Sequence, residues 1–172
     1  METNYLYAVI VEGEAEKAII DVLLDHNLLI FTRDQMLNEE VIRTRIGKSF
    51  AAKYLSLSFP KNTKIKICRI LDSRNERFKI PKAYMRIIDS IDDYLTRPEI
   101  EILFIIDRND QNKLKSVKPS TFVKNNYRDL KQVKSYQTVY QYWNSNIDNL
   151  VRVLKKYKHS KKNELAIADL LK

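Results

Sequence analysis

Leu6-Tyr7-Ala8-Val9-Ile10-Val11-Glu12-Gly13-Glu14 is the most informative stretch of this sequence. Its first six residues form an almost wholly apolar run, which is typical of a strand covered on both faces, as in a parallel sheet. Apolar residues then recur at positions 15, 18, 19, 22 and 23, which is the spacing of a buried helix face. Strand, Glu-Gly turn and helix in this order predict the start of an α/β fold.

The same alternation continues to about residue 110. Apolar runs predict further strands at residues 28–31, 65–71 and 102–106, and apolar periodicity predicts helices at residues 39–55 and 81–95. No strand is predicted after residue 110, and the rest of the chain has mainly helical patterns. We therefore expect an α/β fold with a mostly parallel sheet flanked by helices in residues 1–110, and a basic, mainly helical extension packed on that core in residues 111–172.

Each of the three best strand candidates runs into an acidic residue: Glu12, Asp72 or Asp107. Ligands gather at the carboxyl ends of strands in open α/β sheets, so these carboxylates are expected to meet at one edge. Carboxylates held close together repel one another unless a cation lies between them, and their oxygens suit Mg²⁺ or Mn²⁺. Asp72 is also compatible with a loop or helix-capping acid, and Asp107 with a turn.

The turn after the first strand holds one of the chain's two glycines. Gly13 permits a positive φ or lets a phosphate approach the backbone. Glu16 lies four positions after Glu12, so both carboxylates are candidates for the same site. Acids in the first helical turn are also favoured by the helix dipole, which is a purely structural explanation for Glu14 and Glu16.

The net charge of +9 is unevenly distributed. Residues 111–172 hold 14 Lys and Arg against 4 Asp and Glu, whereas residues 1–110 are nearly neutral. This basic segment is compatible with a solvated helical surface, with a clamp for an acidic protein, or with binding of phosphates while interspersed aromatic residues stack on bases. The candidate nucleic-acid-binding residues are Lys113, Lys115, Lys118, Lys124, Arg128, Lys131 and Lys134.

Several functional classes do not fit the sequence. The single cysteine and two histidines give neither a disulfide framework nor a Cys/His zinc site, and neither histidine has a plausible triad partner. The scarcity of glycine argues against P-loop and dinucleotide-binding sites. No apolar run is long enough for a membrane span, and the first residues lack a basic signal-peptide region, so a cytoplasmic protein is expected.

Residues 7–16, with a strand followed by Glu12-Gly13 and then Glu16, resemble the opening motif of the Toprim fold. This fold is shared by topoisomerases, bacterial primases, a ribosomal-RNA maturase and OLD-type nucleases. The second Toprim motif, Asp-x-Asp after a later strand, is matched by Asp72 but has Arg74 in place of the second aspartate. The size and layout resemble the small stand-alone Toprim proteins of the RloB type, which are encoded beside ABC-type ATPases in prokaryotic defence loci.

The resemblance implies Mg²⁺- or Mn²⁺-dependent phosphodiester chemistry on DNA or RNA, in an anti-phage system with an ABC- or AAA-type ATPase partner and a possible homo-oligomeric state. It implies that Glu12 is a general acid/base or metal ligand and Asp72 the main metal ligand, with Glu16 and Glu76 in support. The chain is too short for the tyrosine machinery of topoisomerases, which favours hydrolysis. Arg74 favours an alternative, a Toprim scaffold without catalysis that binds nucleic acid or a partner.

Overall fold

The computed structural model describes residues 3–72 and 78–172, and its centre is a four-stranded sheet. The strands lie in the order β2-β1-β3-β4, and every pairing is parallel. Their bounds are β1, Asn4–Val11; β2, Ile42–Arg43; β3, Thr63–Leu71; and β4, Ile88–Leu95. The predicted α/β class with a parallel sheet is confirmed.

The sheet has a topological switch point between β1 and β3. The chain places β2 on one side of β1 and then returns to add β3 and β4 on the other side. β1 and β3 are paired along their whole length, from Asn4 opposite Thr63 to Val11 opposite Ile70. The residues that follow β1 and β3 therefore emerge side by side, in the crevice where ligands of open α/β sheets bind.

Helices cover both faces of the sheet because β1 and β3 are apolar on both. Val9, Val11 and Ile70 belong to the larger hydrophobic cluster, whereas Ala8 and Ile10 belong to the smaller one on the opposite face. The helices are α1, Glu14–Asp25; α2, Gly47–Phe50, continued by a π-helical turn, Ala51–Leu55; α3, Ile102–Asp107; α4, Pro119–Asn126; α5, Tyr136–Asn144; and α6, Ile147–Ser160.

The strand predicted at residues 102–106 is wrong, because these residues form α3. All five are buried, in the same hydrophobic cluster as Val9, Val11 and Ile70. A short segment that is apolar on every side has no polar face to reveal its period, so its sequence does not distinguish a buried strand from a buried helix.

The helix predicted at residues 81–95 is also wrong, because its second half is the strand β4. The register with β3 jumps from Ile65 opposite Ile88 to Lys66 opposite Ser90, which leaves Asp89 as an extra residue in a β-bulge. The bulge shifts the alternation of apolar residues by one position. The resulting spacing of Ile88, Ile91 and Leu95 imitates a helical stripe.

Two other predictions are corrected. Residues 28–31 form no strand, although Leu29 makes an isolated antiparallel bridge to Leu171. The helix predicted at residues 39–55 is interrupted in its first half by β2, and a continuous helix is formed only by residues 47–55. Gly47 lies where this helix begins, and a Cβ there would lie 2.4 Å from the backbone oxygen of Lys79.

The helices of residues 111–172 pack on the α/β elements. α5 lies against α1 and α6 lies against α3, and all four share the larger hydrophobic cluster. The domain boundary at residue 110 stays a prediction. Within the described ranges, no helix combines the length and the apolar character needed to cross a membrane.

Candidate active site and the adjoining basic cavity

A cavity of about 230 Å³ lies at the carboxyl ends of β1 and β3. Glu12 directly follows β1 and Asp72 directly follows β3, and both residues line this cavity. The parallel pairing of Val11 with Ile70 brings the two strand ends together. The position of each acid at a strand end predicts this juxtaposition of Glu12 and Asp72, and the topology supplies it at the switch point of the sheet.

Glu16 joins the site from the first turn of α1, and Gly13 makes room for it. A Cβ at position 13 would lie 2.6 Å from Oε2 of Glu16, so the Glu16 carboxylate occupies space that any other residue would fill. Gly13 has a φ of −128°, which side-chain-bearing residues adopt without strain. The glycine therefore serves the close approach of a carboxylate and not a left-handed turn.

Glu99 and Glu101 also line the cavity, although they are not among the site residues predicted from the sequence. They lie in the segment between the end of β4 at Leu95 and the start of α3 at Ile102, whereas Glu12 directly follows β1. The sequence signal for them is the pair of acidic residues that follows Arg97-Pro98. These acids predict a position at the carboxyl edge of the sheet only if residues 88–95 are interpreted as a strand. Glu101 is 3% exposed, so it is one of the few buried charged residues in the described structure.

Burial and mutual repulsion perturb these carboxyl groups. Burial raises the pKa of Glu16 above its ordinary value, and the neighbouring Asp72 carboxylate adds to the rise. Burial likewise raises the pKa of Glu101, with further contributions from Glu99 and Glu16. Lys134 opposes both shifts, because its positive charge stabilises the carboxylate forms.

Six acidic residues and two basic residues, Arg45 and Lys134, line this acidic cavity. Carboxylate oxygens are the donors that Mg²⁺ and Mn²⁺ prefer, so the chemistry of the lining fits such an ion. In the described ranges, however, no three Asp, Glu, His or Cys side chains are grouped closely enough to hold a metal. This arrangement fits an ion held by one or two carboxylates, with water and substrate oxygens as further ligands, as is common for Mg²⁺.

Asp107 is not part of the cavity lining. It ends α3 instead of a strand, so the reason for placing it beside Glu12 and Asp72 no longer holds. Its carboxylate accepts hydrogen bonds from Tyr142 at 2.6 Å and from Arg152 at 2.8 Å, which ties α3 to α5 and α6. Arg74 and Glu76, the other residues considered for this site, lie outside the described residues.

Three of the seven predicted nucleic-acid-binding residues, Lys124, Lys131 and Lys134, line a second cavity of about 480 Å³. Lys134 lines both cavities, so the two adjoin. Lys113 instead forms an ion pair with Asp110 at 2.7 Å. The remaining three are exposed but line neither cavity: Lys115, Lys118 and Arg128.

The aromatic residues of the basic extension are engaged within the fold. The hydroxyl groups of Tyr136 and Tyr140 donate to Asp21 and Asp25 of α1, at 3.0 and 2.7 Å. Trp143 is fully buried against Phe104 of α3. The hydroxyl groups of Tyr127 and Tyr142 donate hydrogen bonds to Asp110 and Asp107, respectively. The hydroxyl group of Tyr157 accepts a hydrogen bond from the backbone N–H of Arg97. Burial makes Tyr127, Trp143 and Tyr157 core residues, so these three do not stack on bases.

Comparison with known proteins gives no relative: no protein-family model, no curated protein and no solved structure matches this chain.

Proposed function

We propose that this chain is a metal-dependent phosphodiester hydrolase that cuts nucleic acid at the acidic cavity. The observation that carries the proposal is the meeting of Glu12, Glu16 and Asp72 in one cavity at the switch point of the sheet. The resemblance of residues 7–16 and Asp72 to the two Toprim motifs supports the same assignment.

The electrostatics of the two cavities support a requirement for metal. A phosphate bound by Lys134 would lie near several carboxylates, which repel it. A divalent cation between phosphate and carboxylates would reverse that repulsion. Mg²⁺ or Mn²⁺, when bound, polarises the phosphate and stabilises the leaving oxygen.

The protein's own residues have distinct roles in this proposal. Glu12 and Asp72 would hold the cation, and the carboxylate of Glu12 would accept the proton of the attacking water. Lys134 donates hydrogen bonds to a phosphate oxygen from the boundary between the two cavities. The water oxygen forms the new bond to phosphorus, and the bond from phosphorus to the leaving oxygen breaks. The leaving oxygen keeps the bonding electron pair and takes up a proton from solvent.

The wider setting belongs to the same proposal. The substrate is DNA or RNA, the protein is cytoplasmic, and an ABC- or AAA-type ATPase is its partner in an anti-phage defence system. These expectations are supported by the Toprim resemblance and, for the substrate, by the lysines beside the acidic cavity.

The test is cleavage of supercoiled DNA, single strands and transfer RNA in Mg²⁺ or Mn²⁺. We expect Glu12→Gln and Asp72→Asn each to lower the cleavage rate at least about 100-fold, because each removes a group that acts on the reacting phosphate. Asp107→Asn is the matched control, since this carboxylate lies outside the cavity lining and should leave the rate within about threefold. Equal cleavage by wild type and Asp72→Asn would exclude the proposed site.

A second candidate function is nucleic-acid binding without catalysis. It is favoured by the absence, within the described ranges, of a ready group of three metal-binding side chains, and by the presence of Arg45 and Lys134 in the acidic cavity. This alternative predicts salt-sensitive binding of nucleic acid that survives EDTA, with no cleavage and no uptake of Mn²⁺.

A further inference from the structure

The larger, basic cavity has a composition suited to anions. Lys124, Lys131 and Lys134 contribute charge, and hydroxyl groups come from Ser120, Thr121 and Ser135. No acidic or aromatic residue is among the residues that line it. Its volume of about 480 Å³ is twice that of the acidic cavity next to it.

The positions of the lining residues add to this positive potential. Ser120 and Thr121 belong to the first turn of α4, and Ser135 caps the N-terminus of α5. The positive ends of two helix dipoles therefore border the cavity that holds the lysines. In the described part of the chain, none of the three lysines forms an ion pair with a carboxylate within 4.0 Å, in contrast to Lys113.

The two cavities are joined structurally as well as by Lys134. The backbone N–H of Ser120, in the basic cavity, donates to Oε2 of Glu99, in the acidic cavity, at 2.9 Å. The charge of Lys134 also acts on Glu16 and Glu101. A ligand in the basic cavity therefore lies directly beside the candidate active site.

We infer that the basic cavity binds a backbone phosphate of a nucleic-acid strand, next to the phosphate that faces the acidic cavity. The inference rests on the proposed function for the identity of the strand. Because no aromatic residue lines the cavity, the strand is held there by its phosphates without stacking of its bases. Recognition at this cavity is therefore independent of base sequence.

The test is binding of fluorescein-labelled oligo(dT) and oligo(dA), measured by anisotropy in EDTA so that no metal chemistry contributes. The Lys124→Gln/Lys131→Gln double variant is expected to bind both strands at least tenfold more weakly than wild type. Its slope of log K against log salt should be shallower by about 0.7, because the one phosphate bound in this cavity is no longer neutralised. Lys134 is left intact, because it also belongs to the acidic cavity.

The matched control is Lys155→Gln/Lys162→Gln, which removes the same charge from two exposed lysines that line neither cavity. Thermal unfolding checks that both double variants fold. If the two double variants lose affinity for the strands equally, the effect comes from overall charge and the proposed site is wrong. The proposed site is also wrong if the wild type binds neither strand. A tenfold preference between oligo(dT) and oligo(dA) would overturn recognition through phosphates alone.

Competition distinguishes a strand from a small phosphate. If inorganic phosphate or a nucleoside monophosphate displaces the labelled strand at concentrations near those of unlabelled strand, the cavity serves a small ligand and the inference is wrong. Because these measurements exclude metal, loss of binding in Lys124→Gln/Lys131→Gln supports the basic cavity even if the hydrolase proposal fails. If this variant cleaves nucleic acid with metal as fast as wild type does, the hydrolase proposal stands and the proposed phosphate site in the basic cavity is wrong.

Discussion

At the scale of single residues, the contact between Gly13 and Glu16 connects the sequence most directly with the site. Gly13 was expected to allow a positive φ or the approach of a phosphate. The structure shows an extended backbone and a carboxylate folded over the glycine. The two glycines of the chain thus have different roles, because Gly13 faces a side chain whereas Gly47 faces the backbone of Lys79.

This difference predicts different effects of the two alanine variants. Gly13→Ala should change the free energy of unfolding by less than about 1 kcal/mol, because the Glu16 side chain can rotate away. Gly47→Ala should cost about 1–3 kcal/mol, because the clashing backbone must move. Urea unfolding measures both values. The carboxylate contact is not the reason for the glycine if Gly13→Ala is as destabilising as Gly47→Ala.

Glu101 predicts a pH dependence. Its pKa is raised in the folded state by burial, so the fold favours the protonated carboxyl and loses stability as the pH rises from the unfolded pKa through the folded one. Glu101→Gln removes this penalty. The variant should therefore be more stable than wild type at pH 7.5, and its advantage should shrink towards pH 4. Urea unfolding at the two pH values measures this, and a constant or growing advantage on acidification contradicts the assignment.

At the scale of elements, a buried carboxylate attaches the basic extension to the core. Asp21 of α1 is 3% exposed and lies at 2.7 Å from Lys17 and 3.1 Å from Arg33, while Tyr136 of α5 donates to it. Asp25, one turn later, also contacts Arg33 and accepts a hydrogen bond from the hydroxyl group of Tyr140, but it is more exposed than Asp21. The two aspartates thus make similar contacts at different degrees of burial.

This pair provides a matched test of how α5 is held against α1. Asp21→Asn should cost about 1.5–3 kcal/mol of unfolding free energy, because it weakens charged hydrogen bonds in a buried place. Asp25→Asn should cost less than about 1 kcal/mol, because solvent screens its ion pair. Chemical denaturation of both variants is the measurement. A larger loss in Asp25→Asn would show that burial does not govern this contact.

The success of sequence prediction differed among elements for identifiable reasons. β1 and α1 are predictable because the apolar run, the Glu-Gly turn and the helical spacing agree with one another. β4 was missed because the bulge at Asp89 gives it an apparent helical period, and α3 was mistaken for a strand because it is apolar all round. Glu12 and Asp72 were placed correctly at strand ends, whereas Glu99 and Glu101 depended on β4 and were not found.

At the scale of the whole molecule, opposite charges are organised around one crevice. The nearly neutral first 110 residues supply the carboxylates, and the basic extension supplies Lys124, Lys131 and Lys134 beside them. Packing of α5 on α1 and of α6 on α3 places the two regions together. A phosphate chain passing from the basic to the acidic cavity would meet first lysines and then the carboxylates that are proposed to hold a cation.

The most direct test of the central claim is titration of Mn²⁺ into the protein by calorimetry, without nucleic acid. We expect wild type to bind the ion, and Glu12→Gln and Asp72→Asn to bind it at least tenfold more weakly, while Asp107→Asn binds as wild type does. Absence of Mn²⁺ binding by the wild type, or unchanged binding by Asp72→Asn, would contradict a metal site formed where β1 and β3 end.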